Sequence, residues 1–248
     1  MKEWIVSAPA SLPIAITTCA LVMLTISIWL AWPWLIGVAG ETLVRRRLRD
    51  FARQGALVLH DVILPDRRGG TVRIDHLLVS GFGIMAIQTI AYPGRILGSL
   101  RDAMWVHEQG PHTHRFANPL RRNAAAVEVL QSMLGSQFRI CDAIVFTAGT
   151  LMGSMPENVV TAAGLKAHVC ARGKALSDEK MRWVVNILKN MAIVDKQSRL
   201  SHARDFMARQ GLERHLKWAK SLMAGSVTAI VVAALVVGMH LAALAGRL

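Results

Sequence analysis

Hydrophobic and polar positions divide the chain into three zones. Residues 12–40 and 221–246 contain no Asp, Glu, Lys or Arg, whereas between them apolar residues come in short, regularly spaced groups. Each uncharged zone exceeds the roughly 20 apolar residues that carry a helix across a bilayer. Trp29, Trp32 and Trp34 stand near the end of the first, as interfacial aromatics do. A secretory leader has a shorter apolar run behind a basic start, and here only Lys2 and Glu3 precede it. The pattern predicts transmembrane helices over 12–40 and 221–246, with a short extracytoplasmic N-terminus over 1–11.

In the middle zone the period changes. Residues 43, 44, 48 and 51 are apolar, one helical face, so a helix over 41–51 continues the first span. Residues 56–65, "ALVLHDVILP", read as a strand ended by the turn Asp66-Arg67-Arg68-Gly69-Gly70. Two more strands, 71–80 and 84–90, flank the tight turn Gly81-Phe82-Gly83. After Tyr92-Pro93-Gly94 come a short strand over 95–97 and another around Trp105. Asn118-Pro119 starts a helix, with Asn as cap and Pro at the first position. It runs to Leu134 and shows Ala124, Val127, Leu130 and Leu134 on one face. A buried strand over 140–147 and a short one over 158–161 follow. Ser177-Asp178-Glu179 then opens a helix to Met191. The order α-β-β-β-α-β predicts an α/β fold in one domain over 41–195, then a basic connecting helix over 196–220.

Charge adds orientation. All but Lys2 and Arg247 of the 29 basic residues, and all but Glu3 of the 16 acidic ones, lie between the two apolar zones. Arg45, Arg46, Arg47, Arg49 and Arg53 follow the first; Arg209, Arg214, Lys217 and Lys220 precede the second. Basic residues stay on the cytoplasmic side, so the expectation is a cytoplasmic middle with both termini outside. Part of the formal net charge of +13 is that topology signal; the rest suits a polyanionic partner, nucleic acid or anionic lipid headgroups. Cys19, Cys141 and Cys170 have no CxxC spacing, which argues against a disulfide framework or zinc site and for reduced, mostly buried thiols.

The candidate chemistry lies in "RIDHLLVSGFGIMAIQTI", residues 73–90: an acid-bearing strand, Asp75 next to His76, beside a strand without charge that ends Gln88-Thr89-Ile90. Around it, in order, stand Gly40-Glu41, Asp61, Gly83-Ile84, Tyr92-Pro93-Gly94, Leu97-Gly98, Trp105, Asn118-Pro119-Leu120 and Val145-Phe146-Thr147. Over about residues 38–193 this resembles the NERD family, the nuclease-related domain, a branch of the PD-(D/E)xK nucleases. The resemblance implies a restriction-endonuclease-like core and a metal-dependent phosphodiester site. Asp75 matches its metal-binding aspartate and Glu41 its helix glutamate; Gln88 and Ile90 stand where Glu-x-Lys is expected, and Arg122 where the helix should offer glutamine. Mg²⁺ wants carboxylate oxygens, lowers the pKa of bound water, and is helped by a lysine that stabilises the transition state. Losing one such preorganised donor costs about 10²–10³ in rate. The resemblance therefore implies a vestigial site at Asp75, Gln88 and Glu41, with Mg²⁺ as cofactor only if Asp61, Asp66, Glu41, His76 or Arg73 substitute for what is missing.

Plainer readings stand beside these. Asp75 can be a structural strand acid paired with Arg73, and His76 a half-buried strand residue. Gln88 and Ile90 share one face of their strand. His107, His112 and His114 read as a solvated loop with no acid nearby but Glu108. Arg73, Arg121 and Arg122 are the candidate nucleic-acid contacts, the last two beside a positive helix terminus. His240 lies within the second apolar zone. The expected function is a protein anchored in a bacterial cytoplasmic membrane that binds nucleic acid through a degenerate nuclease site. One alternative is a non-enzymatic scaffold for other membrane proteins, with Ala224, Gly225, Ala229 and Ala233 allowing close helix approach. Another is an active nuclease with a relocated site.

Overall fold

The computed structural model describes residues 11–66, 69–170, 176–191, 221–235 and 237. The chain divides into two compact units, Met1–Leu35 with Arg204–Leu248, and Ile36–Ala203.

In the first unit the apolar zones are helices. Helix α1 (Ser11–Arg53) runs unbroken from the uncharged zone through the arginine run. Its Thr17–Arg53 stretch is long and apolar enough to cross a membrane, a composition that a membrane anchor and a signal sequence share. Among the described residues the second zone is helical over Ser221–Leu235 (α5). The rest of the expected second span, with His240, and the connecting helix over 196–220 lie outside the described residues. Ala20, Ser27 and Ala31 of α1 and Ser226 and Ala233 of α5 are buried. Both serine hydroxyls donate to their own helix backbone, Ser27 to Met23 and Ser226 to Met223. Of the small residues expected to allow close helix approach, Ala233 is buried and Ala229 half-buried, while Ala224 and Gly225 are exposed; Ser226 and Ala233, seven residues and two helical turns apart, share one face.

The second unit is built on a five-stranded sheet of order β1-β2-β3-β7-β9. Strands β1 (Leu57–Pro65), β2 (Thr71–Ser80) and β3 (Gly83–Ile90) form an antiparallel meander. β7 (Ile140–Phe146) and β9 (Val159–Thr161) add in parallel. One face packs under α2 (Pro119–Leu134) and α4 (Asp178–Met191), through Leu130, Leu134, Val184 and Leu188 against Leu77, Val79, Ile84 and Ala86. The other packs under the last turns of α1 and the short α3 (Leu165–Cys170), through Val44, Leu48, Leu165 and Val169 against Leu78, Met85, Ile87 and Val145. The α-β-β-β-α-β expectation is met in this mixed α/β unit.

Between β3 and α2 the chain builds β4 (Arg95–Leu97), β5 (Met104–Gln109) and β6 (His112–Ala117), which join β8 (Thr150–Met152), formed after β7, in a second sheet of order β6-β5-β4-β8. Its anchor is Trp105, fully buried, stacked on Phe146 and donating Nε1–H to the Ser99 carbonyl. A Cβ at Gly98 would strike that ring, so a close approach requires glycine there.

Three expectations are corrected. The His107–His114 segment is a hairpin of β5 and β6 with His107 opposite His114. His107 is buried and stacks on Tyr92 at 4.9 Å between centroids. Alternation was invisible because β6, His112-Thr113-His114-Arg115-Phe116-Ala117, is an outer strand with four exposed polar residues. The α2 face is turned so that Asn123, Ala126, Val129 and Leu130 are buried while Ala124 is exposed. Cys170 and Cys19 are exposed and Cys141 half-buried, all free thiols.

Candidate functional site

Register assembles the site. The Ser80↔Gly83 turn makes His76 the partner of Ile87, where the β2–β3 ladder ends; just beyond it the Asp75 carboxylate accepts the N–H of Thr89, next to Gln88. On the other side His60 pairs with His76 and Val62 with Ile74, which brings Asp61 opposite Asp75. Asp61, Asp75 and Gln88 thus form one row across three strands. Leu77, Val79, Ile84 and Ala86 face α2 and α4, and alternation puts Gln88 on the face of Ile84 and Ala86.

At this row the strands kink. Leu57 and Leu59, then Val62 and Leu64, all pack with the same core, as do Leu77, Val79 and Ile74. The alternation therefore slips by one residue at Asp61 and at Asp75. Asp61 carries the step with φ 57, the one positive φ outside glycine among the described residues. Asp tolerates the left-handed region better than most side chains.

A cation already lies among these acids. Arg73 Nε donates to Asp61 Oδ1 at 2.7 Å and stands 3.9 Å from Asp75 Oδ1. The three side chains are 21%, 32% and 15% exposed, so the cluster is largely out of water. Asp75 Oδ2 accepts the Thr89 N–H at 3.0 Å, replacing the ladder bond that the kink removes. Burial pushes the Asp75 carboxyl up from its ordinary value; Arg73, the Thr89 N–H and Arg122 oppose this, and Glu41 reinforces it. Gln88 Oε1 and Thr89 Oγ1 are buried without a hydrogen-bond partner, each costing about 1–3 kcal/mol.

Glu41 is positioned by the glycine before it. A Cβ on Gly40 would collide with Thr147 Oγ1 and lie 3.0 Å from Ala91 Cβ, so α1 meets the ends of β3 and β7 only because residue 40 has none. Glu41 accepts from Arg45 at 2.7 Å, and its field reaches His60 as well as Asp75. Arg121 and Arg122 are exposed on the first turn of α2, and the charge of Arg122 reaches Asp75 and Tyr92. Asp66 instead closes its turn by accepting the Gly70 N–H at 2.6 Å.

Two features were not foreseen. His60 and His76 meet Nδ1 to Nδ1 at 2.9 Å, with rings at 89°. One imidazole must donate and the other accept, so the pair shares a single proton at that contact. Burial, then His60, Arg45 and Arg73, push the His76 imidazole down to about 3, and its Nε2 has no partner. The second is Asn123, whose amide donates to the Ala143 carbonyl and Asp142 Oδ2, both at 3.2 Å, while Asn158 also donates to Asp142 at 2.9 Å. This tie fixes the α2 N-terminal turns over β3 and β7. A buried Asn on an otherwise apolar helical face was its only sequence signal.

The donor set does not fit a divalent cation. Among the described residues no three His, Cys, Asp or Glu side chains come together around a common point. Asp61 is committed to Arg73, Asp75 to Arg73 and the Thr89 N–H, and Glu41 to Arg45. The remaining oxygen, on Gln88, is neutral, whereas Mg²⁺ sites rely on one or two accessible carboxylates.

The chain is similar to an uncharacterized protein of Bacillus anthracis, with 31% identity over 101 residues, 41% of this chain and 48% of that protein. It thus spans about half the length of the curated relative it matches. No solved structure matches. The family model of the nuclease-related domain, NERD, matches residues 36–147, which begin just before Gly40 and Glu41, take in the whole Asp61–Asp75–Gln88 row and end at Thr147. That stretch of the chain is a nuclease-related domain.

Proposed function

We propose that this protein binds nucleic acid at the cytoplasmic face of a membrane through a nuclease-type site that has lost its hydrolytic metal centre. The observation that carries the reading is the Arg73 guanidinium, 2.7 Å from Asp61 and 3.9 Å from Asp75, in a row whose third member is a neutral amide. A guanidinium neutralises the acids but cannot ionise a water for attack on phosphorus. Ile90, where a lysine would stabilise the developing charge, is buried among apolar residues. Phosphate contact falls to the exposed Arg121 and Arg122 at the start of α2, where the helix dipole favours anions. Arg73 is held inside the fold and contributes field rather than contact.

The test uses the full chain in mild non-ionic detergent. Fluorescence anisotropy with a labelled duplex is expected to show binding that weakens steeply with salt. Replacing Arg121 and Arg122 by Ala should lower the affinity and flatten the salt slope by about one to two charges. In parallel, plasmid DNA with Mg²⁺ or Mn²⁺ should remain intact. Nicking that disappears in Asp75→Ala would refute the loss of hydrolysis; salt-insensitive or absent binding would refute the nucleic-acid partner.

A further inference from the structure

We propose that Arg73 is a tethered counter-cation holding the place of a divalent ion, and that the pairing of Arg73 with Gln88 is what keeps metal out. The proposal rests on the metal-depleted reading of the site above, and independently of whether nucleic acid binds.

Asp61 and Asp75 face each other on neighbouring strands, an arrangement in which like charges repel. Removed from water, such a pair needs a compensating positive charge. Arg73 supplies it from two residues before Asp75 on the same strand, with its Nε on Asp61 and within 3.9 Å of Asp75. The kink at Asp61, with φ 57, is the backbone step at which the β1 carboxylate meets that guanidinium. A single positive charge leaves the trio at formal −1. A carboxylate at position 88 would raise the row to −2, more than Arg73 balances. The neutral amide avoids this, at the cost of a buried Oε1 with no hydrogen-bond donor. Arg73 in place of an ion and the Gln88 amide in place of an acid therefore make one device.

The device predicts a conversion. Substituting both Arg73→Gln and Gln88→Glu leaves three acidic positions in one row with no internal cation. The probe is Mn²⁺ alone, followed by electron paramagnetic resonance on the full chain in detergent. Wild type is expected to leave millimolar Mn²⁺ free, and the double variant to bind it at least 100-fold more tightly, with a melting temperature that rises as Mn²⁺ is added. Gln88→Glu alone retains Arg73 and should bind no more than about ten-fold better than wild type. It also serves if the double variant fails to fold, because tight Mn²⁺ binding by this single variant overturns the proposal. So does wild-type binding comparable to the double variant's, or a folded double variant that leaves Mn²⁺ free. None of these readouts involves DNA, so failure here is distinct from failure of nucleic-acid binding.

Discussion

Acidification should destabilise the domain chiefly through one side chain. His76 is fully buried, pairs Nδ1 with His60 and has no partner at Nε2. The groups bearing on it are His60, Arg45 and Arg73, and all three resist a positive charge there. Its folded-state pKa is depressed from 6.5 to about 3. Above pH 6.5 the imidazole is neutral in both folded and unfolded chains, and its contribution is fully present. As the pH falls from 6.5 toward 3 the unfolded chain takes up the proton and the folded one does not. Each pH unit in that window costs about 1.4 kcal/mol, so near pH 5 the loss is about 2 kcal/mol. His60 is lowered too, by burial and then Arg45, with Glu41 opposing, and shifts stability in the same direction. The raised Asp75 carboxyl has the opposite sign, since it favours proton uptake by the folded state. A comparison of variants separates these contributions. His76→Leu nearly preserves volume and removes the unsatisfied Nε2, but it also takes the partner from His60 Nδ1, so at pH 7.5 it should cost about 1 kcal/mol, which sets the baseline. At pH 5.0 it should be about 2 kcal/mol more stable than wild type relative to that baseline. Urea denaturation of the full chain in non-ionic detergent, followed by tryptophan fluorescence, measures both. An equal difference between variant and wild type at the two pH values would refute the argument.

Two further substitutions probe the scaffold beneath the site. Asn118 caps α2 by accepting the Leu120 N–H at 3.0 Å, and its amide donates to the Asp102 carbonyl at 2.7 Å; Asn118→Ala should cost about 2–3 kcal/mol by denaturation, with Asn118→Asp, which keeps only the cap, falling between. Gly40→Ala should destabilise even though alanine is about 1 kcal/mol better than glycine in a helix. The added methyl meets Thr147 and Ala91, so Thr147→Ala should recover part of the loss, a coupling that a double-mutant cycle resolves.

The ladder of β1 to β3 was legible because alternating apolar residues and two glycine turns fix both length and register. Counting outward from Gly81-Phe82-Gly83 brings Asp75 to the end of β3 that carries Gln88, and the substitution of amide for acid is visible with it. What the pattern hid depends on breaks in alternation. The left-handed step at Asp61 turns its carboxylate to Arg73, and no propensity rule reveals which of the nearby acids an arginine will choose. Helix α3, only six residues from Leu165 to Cys170, is too short to show a period. In α2 the apolar spacing points to Ala124 and not Asn123, whose amide is buried and bonded to the Ala86 carbonyl of β3 and the Ala143 carbonyl of β7. The apolar end zones were plain in composition, but composition alone gives length and not the side of a bilayer.

The parallel pairing of β3 with β7 also shapes how the molecule is made. Ile84 pairs with Ile140 and Ile90 with Phe146, so three strands of the second sheet, β4 to β6, and α2 are synthesised between the two partners. Until residue 146 has left the ribosome, the β1–β3 meander leaves the outer edge of β3 without its strand partner. Such late, distant closure slows folding and leaves nascent chains open to wrong partners. A chain shortened anywhere between β3 and β7 would therefore keep all three members of the acidic row yet lack the neighbour that makes their strand soluble.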